Sequence, residues 1–134
     1  MAGTRHKARE LALQALYEAD IAGHPPEEAL ERLLAEAEPG AAEFSRELVR
    51  GVVQHRQAID GRIRRHAPNW PLEQISAIDR NVLRVAIFEI LFNNKVPVKV
   101  AINEAVDLAK TFGSDNSSKF VNGVLGAIST SITT

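Results

Sequence analysis

Apolar residues return every three or four positions along most of this chain, the spacing that keeps one face of an α-helix against a core. Thr4 has the chemistry of an N-cap, and Ala8, Leu11, Ala12, Ala15, Leu16 and Ala19 form a stripe that carries the first helix to about Ala22. Leu13, Tyr17 and Ile21 add a second line at steps of four, so this helix should touch more than one neighbour, with Tyr17 at the edge. Gly23-His24-Pro25-Pro26 ends it. Leu30, Leu33, Leu34 and Ala37 line a short second helix. After Pro39-Gly40, one long helix is expected through Phe44, Leu48, Val52, Ile59 and Ile63, stopped by Pro68.

The stretch from Ala67 to Ile75, with its two prolines, is the natural subdomain boundary, and Pro71 to Ile75 has room for one helical turn. Ser76 and Asp79 have capping-box spacing, with Asp in the place usually held by Glu or Gln. From Val82 to Leu91 almost no polar face is left, so this helix should be buried on most sides. Asn93-Asn94-Lys95 turns the chain, and Pro97 opens a helix along Val98, Ile102, Ala105, Ala109 and Phe112. Gly113 is expected to end it in the left-handed conformation. Ser114 to Ser118 offer N-caps for a last helix built on Phe120, Val121, Val124, Leu125 and Ile128. Gly123 and Ala127 lie four apart on it, a narrow face suited to a close neighbour. Period-two alternation bounded by hairpin turns is absent. The expected fold is all-α: about seven helices in two packed subdomains, about 1–68 and about 69–134, within a single domain spanning 1–134.

Composition changes this picture little. The 134 residues are 45% hydrophobic and 25% charged, which suits one soluble globular domain. Zero cysteines exclude disulfides, thiolate metal sites and a cysteine nucleophile, and fit a reducing cytoplasm. A secretory signal is not expected, and the most apolar run, Val82 to Phe92, is too short to span a bilayer. Charge says more. The net charge is −1, yet Glu18 to Glu47 hold nine acids and two bases, leaving fourteen bases and eight acids elsewhere. Such polarity lets a near-neutral protein attract a polyanion over part of its surface.

Catalytic chemistry finds no foothold. His6, His24, His55 and His66 lack metal-ligand spacing, and neither a phosphate-binding loop nor a nucleophile elbow occurs. No cofactor and no metal are expected. Glu27-Glu28 follow two prolines in a first helical turn, where favourable interaction with the helix dipole is a simpler account than acid–base work. The basic cluster Arg5, His6, Lys7, Arg9 sits at a helix start, where the dipole opposes it, so local helix stability does not explain it. By contrast, Arg62, Arg64, Arg65 and His66 stand at a helix end that favours cations. Single-stranded RNA is held by cations together with stacking planes. Lys119 beside Phe120 offers both, although the place of Phe120 in the apolar stripe by itself favours core packing.

Two long motifs carry a resemblance. KVAINEAVDLAKTFG followed by KFVNGVLG, together with the opening KARELALQALY, resembles the NusB family of bacterial transcription antitermination factors over nearly the whole chain. The resemblance implies two packed helical subdomains and a non-enzymatic adaptor. It would bind the boxA element of ribosomal RNA leaders with NusE, a small-subunit ribosomal protein, within the RNA polymerase antitermination complex. It implies an RNA surface made of Arg5, His6, Lys7, Arg9, Asn116, Lys119 and Phe120, and a NusE surface made of Tyr17, Glu73 and Asp79. For one RNA site to form, the starts of the first and last helices must be neighbours. Some RNA methyltransferases begin with a NusB-like domain, but no glycine-rich cofactor loop is present here, so that alternative ranks second. A structural homo-oligomer, such as a homodimer, is the third.

Overall fold

The computed structural model describes residues 2–67 and 69–133. Among them are seven α-helices and no strand: α1 (Ala2–Ala22), α2 (Pro26–Leu34), α3 (Ala42–Gln54), α4 (Arg56–His66), α5 (Ala77–Phe88), α6 (Val98–Phe112) and α7 (Ser117–Thr133). Short 3-10 turns at Pro39–Ala41 and Leu72–Gln74 precede α3 and α5. Pro68, expected as a helix stop, lies outside the described residues; α4 has already ended at His66.

The packing follows the stripes. Ala8, Leu11, Ala12, Leu13, Ala15 and Leu16 of α1 are all buried, and the small alanines let α2, α3 and α5 come close together around it. α5 runs through the centre: every residue from Asn81 to Ile90 is buried. It also packs on α6 and α7, which lie against each other. The buried side chains form one continuous cluster. Full burial of each Leu or Ile there contributes about 1.5–3 kcal/mol.

Four expectations are corrected. α1 begins at Ala2, so Thr4 lies inside the first turn rather than capping it. The long helix is two helices: at His55 the backbone leaves helical geometry, with φ −105° and ψ 19°. There the His55 imidazole stacks on Phe92, ring centroids 4.0 Å apart, and Phe88 presses on α3 at Gly51, where a Cβ would overlap its ring. Gly113 is extended, with φ −94° and ψ −165°. Glycine is needed there because a Cβ would collide with the Ser117 hydroxyl and the Ala109 carbonyl. Gly123 and Ala127 form no close contact face; both are exposed, and no other side chain meets the position of a Gly123 Cβ.

The ends of α5 are built differently. Ser76 caps its start, its hydroxyl accepting the Asp79 N–H at 3.2 Å. Its far end widens into a π-turn, Glu89–Asn93, closed by Asn94 in the left-handed region at φ 56°. Such turns are rare insertions into a helix, and this one includes the buried Glu89.

Adding a methyl group to a helix interior by Gly→Ala stabilises an ordinary site by up to about 1 kcal/mol. At Gly51 the opposite is expected, a loss of about 1–3 kcal/mol through overpacking against Phe88. Thermal melting of Gly51→Ala, and of the same chain with Phe88→Leu to relieve the overlap, checks this; a Gly51→Ala protein as stable as the parent would overturn it.

Candidate nucleic-acid interface

The basic start of α1 divides into buried and accessible cations. Arg9 is only 2% exposed. Its Nε and Nη2 donate to the two carboxylate oxygens of Glu89 at 2.8 and 2.9 Å, and Nη1 donates to Glu104 at 3.3 Å. Burial opposes the charge on Arg9, but these carboxylates outweigh it and hold its pKa above the usual value. Arg9 is therefore corrected from an RNA contact to an internal one: its donors are committed to α5 and α6. Arg5 and Arg9 also lie against Phe44, 5.2 and 5.4 Å from the ring centroid.

His6 sits between Glu104 and Glu10, its ring nitrogens 3.0 and 3.4 Å from their oxygens. The hydrogen bond with Glu104, aided by the charges of Glu104, Glu10 and Asp107, raises its pKa above 6.5 against a smaller opposing effect of burial. Lys7 is exposed, its Nζ 3.6 Å from Glu10. Arg5 and Lys7 are thus the accessible cations of this cluster, and His6 is shared with two carboxylates.

At α7, Ser117 Oγ accepts the Ser114 N–H at 2.9 Å, tying the turn to the helix start in the manner of a capping box. Asn116 and Lys119 are exposed, and Phe120 is half-buried, packed on the core on one side. No carboxylate of the described residues pairs with Lys119. Phe120 and Asn116 line a cleft of about 230 Å3 with Trp70, Gln74, Ile75, Ser76, Asp79 and Ser114. Trp70 is 55% exposed, and its backbone N–H donates to the Ala67 carbonyl at 3.1 Å. Sequence reasoning missed Trp70, although an isolated Trp between two prolines was a usable signal.

The two helix starts meet α6 at different heights. His6 touches it at Glu104 and Ser117 touches it at Gly113. Nine residues of helix separate those points, on the order of 13 Å. Both starts therefore border α6, one near its middle and one at its C-terminal end.

Of the three residues expected to face a protein partner, Tyr17 is 38% exposed and lines an apolar groove with Gln14, Glu18, Ile21, Ala22 and Leu33. Glu73 lines a charged groove with Asp20, Arg56, Arg64, Arg80 and Arg84. Asp20 lies one turn beyond Tyr17 on α1, so both grooves border the same half of that helix. Asp79 is placed elsewhere. It joins Asn116 and Phe120 in the cleft, on the Gln74 side of the 3-10 turn.

Behind the charged groove lies a second buried network. Arg84 donates to both oxygens of Asp60, at 2.9 and 3.1 Å, and to Asp20 at 2.9 Å. Arg80 and the Asn81 amide donate to the same Asp20. Burial works to raise the Asp20 carboxyl, but the Asn81 hydrogen bond and the charges of Arg84 and Arg80 outweigh it and hold its pKa below the ordinary range. No three acids or histidines among the described residues are placed to hold a metal ion, and no described helix is long and apolar enough to cross a membrane.

Two outcomes follow. Arg9→Ala should lower stability by about 3–5 kcal/mol by stranding Glu89 in the interior; denaturant melts measure this, and a near-neutral change would refute the internal role. Because the folded pKa of His6 is raised, its stabilising effect is full below pH 6.5 and fades as pH rises through the folded value. His6→Gln should therefore lose more stability against the parent at about pH 5.5 than at about pH 8.5. A pH-independent difference would count against the Glu104 bond.

Known proteins resemble this arrangement closely. The model of the NusB family matches residues 6–130. The transcription antitermination protein NusB of Dehalococcoides mccartyi is 55% identical over 131 residues, covering 96% of this chain and 92% of that protein. The crystal form of T. maritima NusB superposes with a TM-score of 0.86 at 37% identity, over 92% of this chain and 89% of that one. A chain from the crystal structure of antitermination factors NusB and NusE in complex with double-stranded RNA also gives 0.86, at 31% identity, over 96% and 97%. With its opening helix, its α6–α7 motif and its whole fold matched in this way, the chain belongs to the NusB family.

Proposed function

We propose that this chain is a transcription antitermination factor. It binds the boxA element of ribosomal RNA leaders together with NusE, in the cytoplasm, and helps polymerase read through terminators by binding rather than catalysis. The start of α7 carries this proposal: Lys119 is exposed without a carboxylate partner among the described residues, beside Phe120 and a cleft lined by a second aromatic ring. Arg5, His6 and Lys7 add a second cationic surface at the start of α1, where His6 meets Glu104 of α6. Phosphate contacts to these groups supply affinity, and bases on aromatic planes supply the rest. Arg9 acts indirectly, by holding the start of α1 against Glu89 and Glu104.

NusE fits the face around the C-terminal half of α1. Tyr17 and Ile21, 38% and 63% exposed, give it an apolar centre. The acids of the 18–47 stretch give it a field suited to a basic ribosomal protein, with Glu73 at its edge beside the arginines of the charged groove.

The test is a titration of boxA-like and scrambled RNA, with and without NusE, at two salt concentrations. Lys119→Ala should weaken binding and flatten the salt slope by roughly 0.7, the value for one contact to a single strand. Tyr17→Ala should weaken capture of NusE while RNA binding by the chain alone stays at the parent level. A parent that ignores RNA at low salt, or a Lys119→Ala chain with unchanged slope, would sink the proposal.

A further inference from the structure

Three of the four basic residues at the start of α1 lie against carboxylates. Arg9 gives its donors to Glu89 and Glu104, His6 sits between Glu104 and Glu10, and Lys7 is 3.6 Å from Glu10. Arg5 has no carboxylate and no side-chain hydrogen bond among the described residues. It is held by a ring instead: its Cζ lies 5.2 Å from the centroid of Phe44. Phe44 stands in the first turn of α3 and is 9% exposed, more than any other buried apolar side chain of the described residues, so its ring borders the surface. Arg9, one turn further along α1, lies against the same ring at 5.4 Å. Glu89 thus fixes Arg9, Arg9 and the core confine the Phe44 ring, and the ring confines Arg5.

We propose that Phe44 is a positioning residue for RNA binding: its ring holds the Arg5 guanidinium in place to receive a phosphate of the bound strand. The inference rests on the RNA-binding function proposed above and adds to it a residue that acts through another.

The chemistry explains why a ring, and not an acid, stands at this place. A free Arg side chain loses rotamer freedom when it binds, and that loss weakens association. A carboxylate would restrain the side chain, as Glu89 restrains Arg9, but it would occupy the N–H donors and repel the phosphate. A ring attracts the cation through its quadrupole and leaves the net positive charge in place. The guanidinium fork stays open to the two oxygens of a phosphate, the group whose geometry it matches. The same contact offsets the unfavourable position of Arg5 at a helix start, where the dipole opposes a cation.

A double-mutant cycle tests this, with short single-stranded boxA-like RNA titrated at several salt concentrations and each variant melted to confirm that it is folded. Arg5→Ala should weaken binding and flatten the salt slope by roughly 0.7. Phe44→Leu, which keeps an apolar side chain in the core, should weaken binding about 2- to 5-fold, the range of a surface cation–ring contact, and keep the parent's slope. In a chain that already carries Arg5→Ala, Phe44→Leu should cost no further affinity. Phe44→Tyr, which keeps the ring, should bind as the parent does. A packing role alone gives either no loss of affinity for Phe44→Leu or the same loss with and without Arg5, and both results overturn the proposal. An Arg5→Ala chain with the parent's affinity and slope also overturns it, and spares RNA binding through Lys119. Should Phe44→Leu fail to fold, NMR relaxation of the Arg5 side-chain N–H in the free parent decides. Restrained motion is expected, and motion as free as that of the exposed Arg65 refutes the proposal. A parent that binds no RNA refutes the RNA-binding function itself.

Discussion

The antiparallel contact between α1 and α5 is pinned by buried charge at both ends. Arg9 meets Glu89 near one end, and Asp20 meets Arg80, Asn81 and Arg84 near the other. Ion pairs of this kind add little net stability, since removing two charges from water offsets most of their attraction. Breaking one is another matter, because it strands a charge in the interior. Sliding α1 by a single turn would break both sets at once, so hydrophobic burial holds the helices together and the charges hold their register.

That register places the functional surfaces. The start of α5 brings Ser76 and Asp79 beside Trp70 and the α7 start, while its π-turn turns Glu89 towards Arg9. The 3-10 turn Leu72–Gln74 then separates two environments: Glu73 faces a groove of paired charges, and Gln74 faces the cleft. Adjacent residues thereby border different surfaces, one lined by paired charges and one by aromatic rings.

Electrostatics divides the molecule in the same way. Arginines at 9, 32, 46, 56, 80 and 84 are spent on carboxylates. The cations left for a polyanion at the proposed interface are therefore fewer than the sequence count suggests. This makes stacking on aromatic rings a larger share of any RNA affinity here, because each ring contributes on the scale of a phosphate contact without depending on salt.

Local physics was legible in the sequence. Helical periodicity, the Ser76 cap, Pro26 at the start of α2 and the near-total burial of α5 depend on residues within a few positions of one another. The NusB motifs at both ends were equally legible, since they are contiguous. What the chain could not announce alone were relations across long separations. Arg5, Lys7 and Arg9 look alike in a basic run, yet Arg9 is internal because Glu89, eighty residues later, swings inward on a π-turn. Gly113 looked like a handedness requirement and proved to be a space requirement, set by Ser117 of the next helix. The meeting of α5 with α7 put Asp79 in one cleft with Phe120, a neighbour the sequence did not announce. Tertiary packing decided these points, because burial and ion pairing are properties of the neighbours that the fold supplies rather than of the residue that receives them.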